Sequence, residues 1–306
     1  MNTDRKLILV TRHTRLLELK QKYGTLGQAK FYIEHLGESF EQYEIEDALF
    51  WSVQKKVLSF MKATGRVQQL DRSYLPTYQF SRDDVVVVLG QDGLVANTLK
   101  YLNGQSVIAI NPSPKSYDGV LLPFVVNDLP LVMADVLTNN MQSKSITMAE
   151  ATTNLGDKLL AVNDLFIGPK SHTSVRYEMQ WGKECESQSS SGVIVSTGLG
   201  STGWFKSLIA GASGIAGKPV QKHIANGFEW DSNFLYYTVR EPFPSNVSET
   251  NLVFGKVNAH KPLTLSSKMG ENGVIFSDGL ENDYLEFTAG VTVAIKVSDT
   301  QGVLVV

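Results

Sequence analysis

The sequence has little cysteine, no long apolar run and no dense block of basic residues. Its one cysteine, Cys185, cannot form a disulfide within the chain, so a disulfide-stabilised fold is not expected. No window approaches the ~20 apolar residues of a membrane span, and the start, residues 1–6, is too polar for a secretory signal. The 28 basic and 31 acidic residues leave a formal net charge of −3. These features predict a cytoplasmic protein that binds a small soluble ligand, and no nucleic acid or membrane.

The 306 residues suffice for two domains with substantial cores. The first part alternates apolar strands with helical periodicity, whereas short strands separated by Gly, Asn and Ser dominate after residues 123–130. We therefore predict an α/β domain with an open, mostly parallel sheet at residues 1–127. Residues 128–306 are predicted to form a β-rich domain.

Two helical stripes support the first domain. A capping-box spacing at residues 25–28 marks the start of a helix, and Leu26, Ala29, Ile33 and Leu36 fall on one face of it. We expect this helix to pack on the sheet. A second stripe, at residues 41–64, contains Phe50, Val53, Val57 and Met61.

The turn at residues 90–93 is the strongest candidate site. The preceding run, Asp84 to Leu89, has no polar alternation and is typical of a strand buried on both faces. Gly90 and Gly93 let a ligand approach the backbone, and the helix predicted at residues 94–102 directs its positive end to the same place. Asp92 supplies a carboxylate there. By itself the pattern is equally consistent with an ordinary tight turn.

Two further motifs lie in the second half. The apolar strand at residues 192–196 runs into Thr197, Gly200, Ser201 and Thr202, which can hydrogen-bond a phosphate or ribose or can simply form a turn. Asn163 and Asp164 interrupt an apolar segment. A buried aspartate is unfavourable without partners, so this pair needs either a hydrogen-bond network or a ligand.

These motifs together resemble the ATP-dependent NAD kinase family, whose hallmark is Gly-Gly-Asp-Gly-Thr. The matching segments, in chain order, are residues 90–93, Asn111-Pro-Ser-Pro, Tyr117-Asp-Gly119, Asn163-Asp164 and residues 197–204. Gln91 and Leu94 depart from the hallmark, replacing a glycine and the threonine. Ser191, where the more common branch has an aspartate, is similar to the mitochondrial-type branch.

The resemblance implies transfer of the γ-phosphoryl group of ATP to the 2′-hydroxyl of the adenosine ribose of NAD, with Mg²⁺, to form NADP. It implies Asp92 as the general base and a homodimer or higher homo-oligomer assembled through the second domain, which would also bind NAD. No metal ligand is implied. The ATP phosphates are assigned to Gly90, Gln91, Gly93, Arg12 and Lys115, with Arg15 as a further candidate cation. NAD is assigned to Asn163, Asp164, Ser191, Thr197, Gly200, Ser201 and Thr202.

Two other functions remain open from the sequence. Gly-Gly-Asp-Gly-type loops also resemble those of lipid and sugar-phosphate kinases, so the acceptor could be a sugar, a nucleoside or a lipid. The third hypothesis is a non-catalytic sensor that binds NAD or NADP. Asp92 favours catalysis, since a binder has little use for a carboxylate aimed at a hydroxyl.

Overall fold

The computed structural model describes residues 3–220 and 222–306. It divides into two compact units, Met1–Lys144 with Val303–Val306, and Ser145–Gly302. The division therefore follows residue 144, whereas the sequence suggested residue 127. The difference arises because helix α5 (Leu129–Leu137) buries Leu129, Val132 and Met133 in the core of the first unit.

The first unit is an α/β layer structure built on a parallel sheet. Besides α5, its elements are β1 (Leu7–Thr11), α1 (Arg15–Tyr23), α2 (Leu26–His35), α3 (Glu41–Thr64), β2 (Val67–Asp71), a 3₁₀ segment (Arg72–Thr77), β3 (Val85–Leu89), α4 (Asp92–Leu99) and β4 (Ser106–Ile110). The strand order is β2-β1-β3-β4, every pairing is parallel, and Val303 and Leu304 add a further parallel segment beside β4. This confirms the predicted open, mostly parallel sheet.

The two predicted helical stripes have different outcomes. Phe50, Val53, Val57 and Met61 of α3 are buried against the strands, as expected. The expectation that α2 packs on the sheet was wrong. Ala29 and Ile33 of α2 are buried in a separate small cluster with Phe40, while Leu26 and Leu36 are exposed.

The second unit is β-rich, as predicted, and contains two largely antiparallel sheets. The elements are β5 (Ser143–Thr153), β6 (Lys158–Ala161), β7 (Asp164–Pro169), β8 (Val175–Trp181), β9 (Glu184–Ser190), β10 (Gly192–Ser196), a 3₁₀ segment (Gly200–Thr202), α6 (Trp204–Ala216), α7 (Lys222–Ala225), β11 (Leu235–Arg240), β12 (Phe254–Val257), β13 (Leu263–Ser267), β14 (Gly273–Ser277), β15 (Leu280–Glu286) and β16 (Thr292–Val305). One sheet contains the order β16-β13-β8-β9 together with the pair β5-β6, and the other has the order β12-β11-β10-β7-β14-β15.

One core joins the facing sides of these two sheets. It contains Tyr177 and Met179 of β8, which alternate with exposed residues, and Val193 and Val195 of β10. The period-two burial of β8 is the pattern of a strand with one face on a core, whereas β10 is buried at every position. Over the described part of the chain, no helix is both long and apolar enough to cross a membrane.

Candidate functional site

The turn after β3 has the geometry expected of a ligand-binding turn. Asp92 is the first residue of α4 and Gln91 is its N-cap, so the free N–H groups of the helix face this turn. A Cβ atom at residue 90 would lie 2.7 Å from Cδ2 of Leu94, so a larger residue there would require the Leu94 side chain to shift. A Cβ at residue 93 would meet nothing within 4 Å. Gly93 therefore borders open space in front of the helix.

The Asp92 carboxylate is held by the loop that follows β4. Oδ1 accepts the backbone N–H of Leu121 at 2.8 Å, and Oδ2 accepts that of Val120 at 3.3 Å. Two amide donors fix the orientation of the carboxylate and anchor the loop on the turn. Because each carboxylate oxygen can accept a further hydrogen bond, Asp92 retains the capacity to contact a ligand hydroxyl.

Asn111 explains the conformation of the same loop. Its Oδ1 accepts the backbone N–H of Ser113 at 2.9 Å, and its Nδ2 donates to the carbonyl of Tyr117 at 3.2 Å. Gly119 has φ of +65°, and a Cβ there would lie 2.7 Å from Nδ2 of Asn111. The Asn111 and Tyr117-Asp-Gly119 motifs thus fold one loop.

A pocket of about 510 Å³ opens between this loop and the helices of the first unit. Its polar wall includes Arg12, Gln91 and Tyr117, and its apolar wall is formed by Ile45 and Leu49 of α3. A contiguous smaller cavity also reaches Gly90 and His13. The pocket combines a cation, hydrogen-bonding groups and apolar surface, which is the combination that a nucleotide requires.

The two arginines of the pocket differ in their surroundings. Arg12 is half-buried and has no hydrogen-bond or ion-pair partner among the described residues. Arg15 donates from Nε to Oε2 of Glu46 at 2.7 Å, and its guanidinium lies 4.7 Å from the Tyr43 ring centre. Hydrogen bonding to Glu46 raises the pKa of Arg15. Arg12 is therefore the arginine available to an anion.

Tyr117 and Lys115 lie on the same loop but differ in position. The Tyr117 hydroxyl donates to Oε1 of Glu46 at 3.0 Å, and burial is the main reason that the pKa of Tyr117 is raised. Lys115 is exposed and is not among the residues that line the pocket. The structure thus brings Arg12, Gly90 and Gln91 together and leaves Lys115 outside the pocket wall.

In the second unit, Asp278 organises the Asn163-Asp164 segment. Its carboxylate accepts the backbone N–H groups of Val162 at 3.0 Å, Asn163 at 2.6 Å and Asp164 at 3.4 Å. Asp278 has φ of +53°, which a non-glycine residue rarely adopts. Asp278 is not among the residues that the sequence motifs assign to the site, although it lies in a Ser-Asp-Gly turn of the kind that favours positive φ.

Asp164 is buried in an unusual environment. Its exposed fraction is 9%, and its Oδ1 has no hydrogen-bond partner among the described residues. Burial raises the pKa of Asp164 to about 7, with a lowering contribution from a hydrogen bond to Ser196 and a raising one from the charge of Asp278. A Cβ at residue 200 would lie 2.9 Å from this Oδ1. Gly200 is thus required for the close approach of the two segments.

The hydroxyl groups predicted to bind NAD donate to backbone carbonyls. Thr197 donates to Val162 at 2.6 Å, Ser201 to Gly198 at 2.6 Å and Thr202 to Leu199 at 3.3 Å. Thr197 and Ser201 are also fully buried. In this conformation they shape the turn after β10, and a ligand would meet their acceptor lone pairs or the backbone instead.

Ser191 borders an aromatic surface. Its N–H donates to the Arg240 carbonyl at 2.9 Å. The adjacent Gly192 has φ of +123°, and a Cβ there would lie 2.6 Å from the Phe166 ring. Phe166 stacks on Trp204 with 5.7 Å between ring centres, and the Arg240 guanidinium lies 5.6 Å from the Trp204 ring centre.

A magnesium ion has few protein ligands available. Within residues 3–220 and 222–306, no three His, Cys, Asp or Glu residues form a metal-binding group. Mg²⁺ commonly binds through substrate phosphates, waters and one or two carboxylates. Among the described residues, Glu46 is a carboxylate that lines the pocket, and Asp92 lies in the turn that borders it.

Comparison with known proteins identifies the fold. The sequence matches no protein-family model, and no curated protein matches it. Among solved structures, an NAD kinase from Archaeoglobus fulgidus in complex with ATP is similar, with a TM-score of 0.55 and 14% identity over 98% of this chain and 92% of that one. Yeast NADH kinase complexed with NADH has a TM-score of 0.57 and 13% identity, over 99% of this chain and 84% of that one. The chain has the fold of the NAD kinases.

Proposed function

We propose that the protein is a phosphotransferase that transfers the γ-phosphoryl group of ATP to the 2′-hydroxyl of the adenosine ribose of NAD. The observation that carries the proposal is the pocket beside the Gly90–Gly93 turn, in a chain whose fold matches that of an NAD kinase bound to ATP and of an NADH kinase bound to NADH. Phosphoryl transfer needs positioning, charge neutralisation and a proton acceptor more than covalent chemistry.

The first unit supplies the donor side of the proposal. Arg12 and the N–H groups at the start of α4 would hold phosphates, and Ile45 and Leu49 offer apolar surface to a base. Asp92, oriented by two amides, is the proposed general base. Lys115 is exposed on the loop after β4, outside the pocket wall, and its proposed contact is with the outermost phosphate.

The second unit supplies the acceptor side. The Asn163 side chain has no hydrogen bond to another described residue, so its amide is available to a ribose or adenine. Asp164, Ser191 and the turn from Thr197 to Thr202 complete the proposed NAD-binding set. The proposal includes a cytoplasmic location and a homodimer or higher homo-oligomer. Light scattering after size-exclusion chromatography tests the oligomeric state.

One experiment separates this function from its alternatives. The purified protein is incubated with MgATP and, in separate reactions, with NAD, NADH, a set of sugars, nucleosides and diacylglycerol. Formation of NADP or NADPH supports the proposal. A phosphorylated sugar, nucleoside or lipid with no NADP identifies a related kinase. Binding of NAD or NADP by calorimetry with no product in any reaction identifies a sensor.

A further inference from the structure

A chain of polar contacts crosses the pocket wall. The Tyr117 hydroxyl donates to Oε1 of Glu46 at 3.0 Å, and Oε2 of Glu46 accepts from Nε of Arg15 at 2.7 Å. The contacts join the loop after β4, α3 and α1. Glu46 lies at the centre of the chain and also lines the pocket.

A carboxylate at this position opposes the binding of phosphates. Glu46 occupies Arg15, so Arg12 remains the pocket arginine without a partner among the described residues. The Glu46 side chain is 21% exposed, so its charge is incompletely screened by solvent. A ligand that presents only phosphates must approach this charge, whereas a ligand with a nucleoside can also use Ile45 and Leu49.

We propose that Glu46 is a specificity-determining residue that limits the negative charge which the pocket accepts and so favours a nucleotide over a bare polyphosphate. The inference rests on the proposed function for the identity of the ligand as a nucleoside polyphosphate. The effect of the Glu46 charge on phosphate binding does not depend on that identity. Removal of one negative charge next to bound phosphates strengthens the binding of the more highly charged and less apolar ligand.

Calorimetric titration with inorganic tripolyphosphate and with MgATP tests this without turnover. Glu46→Gln keeps the shape and the acceptor for Tyr117 but removes the charge. We expect it to tighten tripolyphosphate binding by about threefold to tenfold, as expected for one charge at roughly 6–8 Å in a partly solvated site. MgATP binding should tighten less. The matched control is Glu44→Gln, which makes the same charge change on an exposed residue of α3 that does not line the pocket.

Three outcomes would overturn the inference. They are unchanged or weaker tripolyphosphate binding by a folded Glu46→Gln variant, an equal gain for Glu44→Gln, and tripolyphosphate binding that persists in Arg12→Gln. If Glu46→Gln does not fold, Tyr117→Phe serves instead. It leaves the Arg15–Glu46 pair in place and removes one hydrogen-bond donor from the Glu46 carboxylate. Because that donor no longer offsets the negative charge, tripolyphosphate affinity should fall, and an increase would contradict the inference.

The result is independent of catalysis. If the protein phosphorylates none of the acceptors, the proposed function is wrong. A selective gain in tripolyphosphate affinity for Glu46→Gln would still support the role of Glu46. An active NAD kinase in which Glu46→Gln leaves the preference for ATP over tripolyphosphate unchanged would keep the function and remove this inference.

Discussion

Gly200 packs on Asn163 so closely that a Cβ atom at residue 200 would lie within 3.0 Å of the Asn163 carbonyl oxygen. Real Cβ atoms essentially never approach a backbone atom so closely, so the turn after β10 and the Asn163-Asp164 segment fit together only with glycine. This contact joins two motifs that are 37 positions apart in the sequence, 163 and 200.

Gly200→Ala should therefore destabilise the protein. One segment must move or the backbone must distort, and overpacking of this kind typically costs ~1–3 kcal/mol or more. Urea unfolding measures the change in the free energy of unfolding. Gly211→Ala in α6 is the matched control, because a Cβ there meets nothing within 4 Å and alanine favours a helix. Equal stability of both variants would contradict the close packing.

Asp164 should make stability depend on pH near neutrality. Its folded pKa of about 7 exceeds the ordinary value of 3.8, so the folded state binds a proton more tightly than the unfolded state does. Stability should therefore rise as the pH falls from about 7 towards 4, and this contribution is lost as the pH rises through 7. The slope for one proton is at most ~1.4 kcal/mol per pH unit.

Urea unfolding at several pH values between 5 and 8 tests this. Asp164→Asn should flatten the profile, because the amide does not titrate, whereas Asp157→Asn, at an exposed turn position, should leave it unchanged. A profile that Asp164→Asn does not alter would show that another group causes the dependence.

The local patterns of the sequence were sufficient for the sheet and for several elements. The predicted bounds of α3 and β10 coincide with those observed, because apolar periodicity and flanking glycines mark them. The packing partner of α2 could not be predicted from the same patterns. Its apolar face meets Phe40 and Tyr43 instead of the sheet, and periodicity alone does not identify the partner of an apolar face.

The contacts that orient the site side chains were also beyond sequence reasoning. Asp92 meets residues 120 and 121, Tyr117 meets Glu46, and Asp278 meets residues 162–164. Each contact links positions separated by at least 28 residues. Motif spacing indicated which residues matter, but the folded chain determines which backbone groups their carboxylates accept.

Asn163→Ala should weaken the binding of NAD more than that of ATP. The Asn163 side chain has no partner among the described residues, so the substitution would remove the proposed contact to NAD and leave the backbone contact to Asp278 in place. Loss of a hydrogen bond to a buried partner typically costs ~1–3 kcal/mol, or roughly 5- to 150-fold in affinity. Calorimetry with each nucleotide measures the effect. Asn251→Ala, on the exposed surface of the same unit, is the control, and equal losses for NAD and ATP would indicate a structural role for Asn163.

Asp92→Asn should separate catalysis from anchoring of the loop. The amide oxygen can still accept the N–H of Leu121, but the amide nitrogen cannot accept that of Val120, so the loop should lose only its weaker contact at 3.3 Å. The proton acceptor is lost completely. If Asp92 is the general base, kcat for NADP formation should fall ~10²–10⁴-fold while the affinities for ATP and NAD change little.

A second aspartate in the same unit provides the control for the anchoring role. Asp128 accepts the backbone N–H of Val125 at 2.8 Å and does not line the pocket, so Asp128→Asn alters a comparable carboxylate-amide contact without touching the proposed base. Rates, affinities and urea unfolding are measured for both variants. A folded Asp92→Asn protein that binds both nucleotides and turns over at the parent rate would exclude Asp92 as the base. A loss of stability or of ATP affinity that parallels the loss of rate would assign the carboxylate to the loop instead, because a base that acts only on the acceptor hydroxyl has no effect on folding.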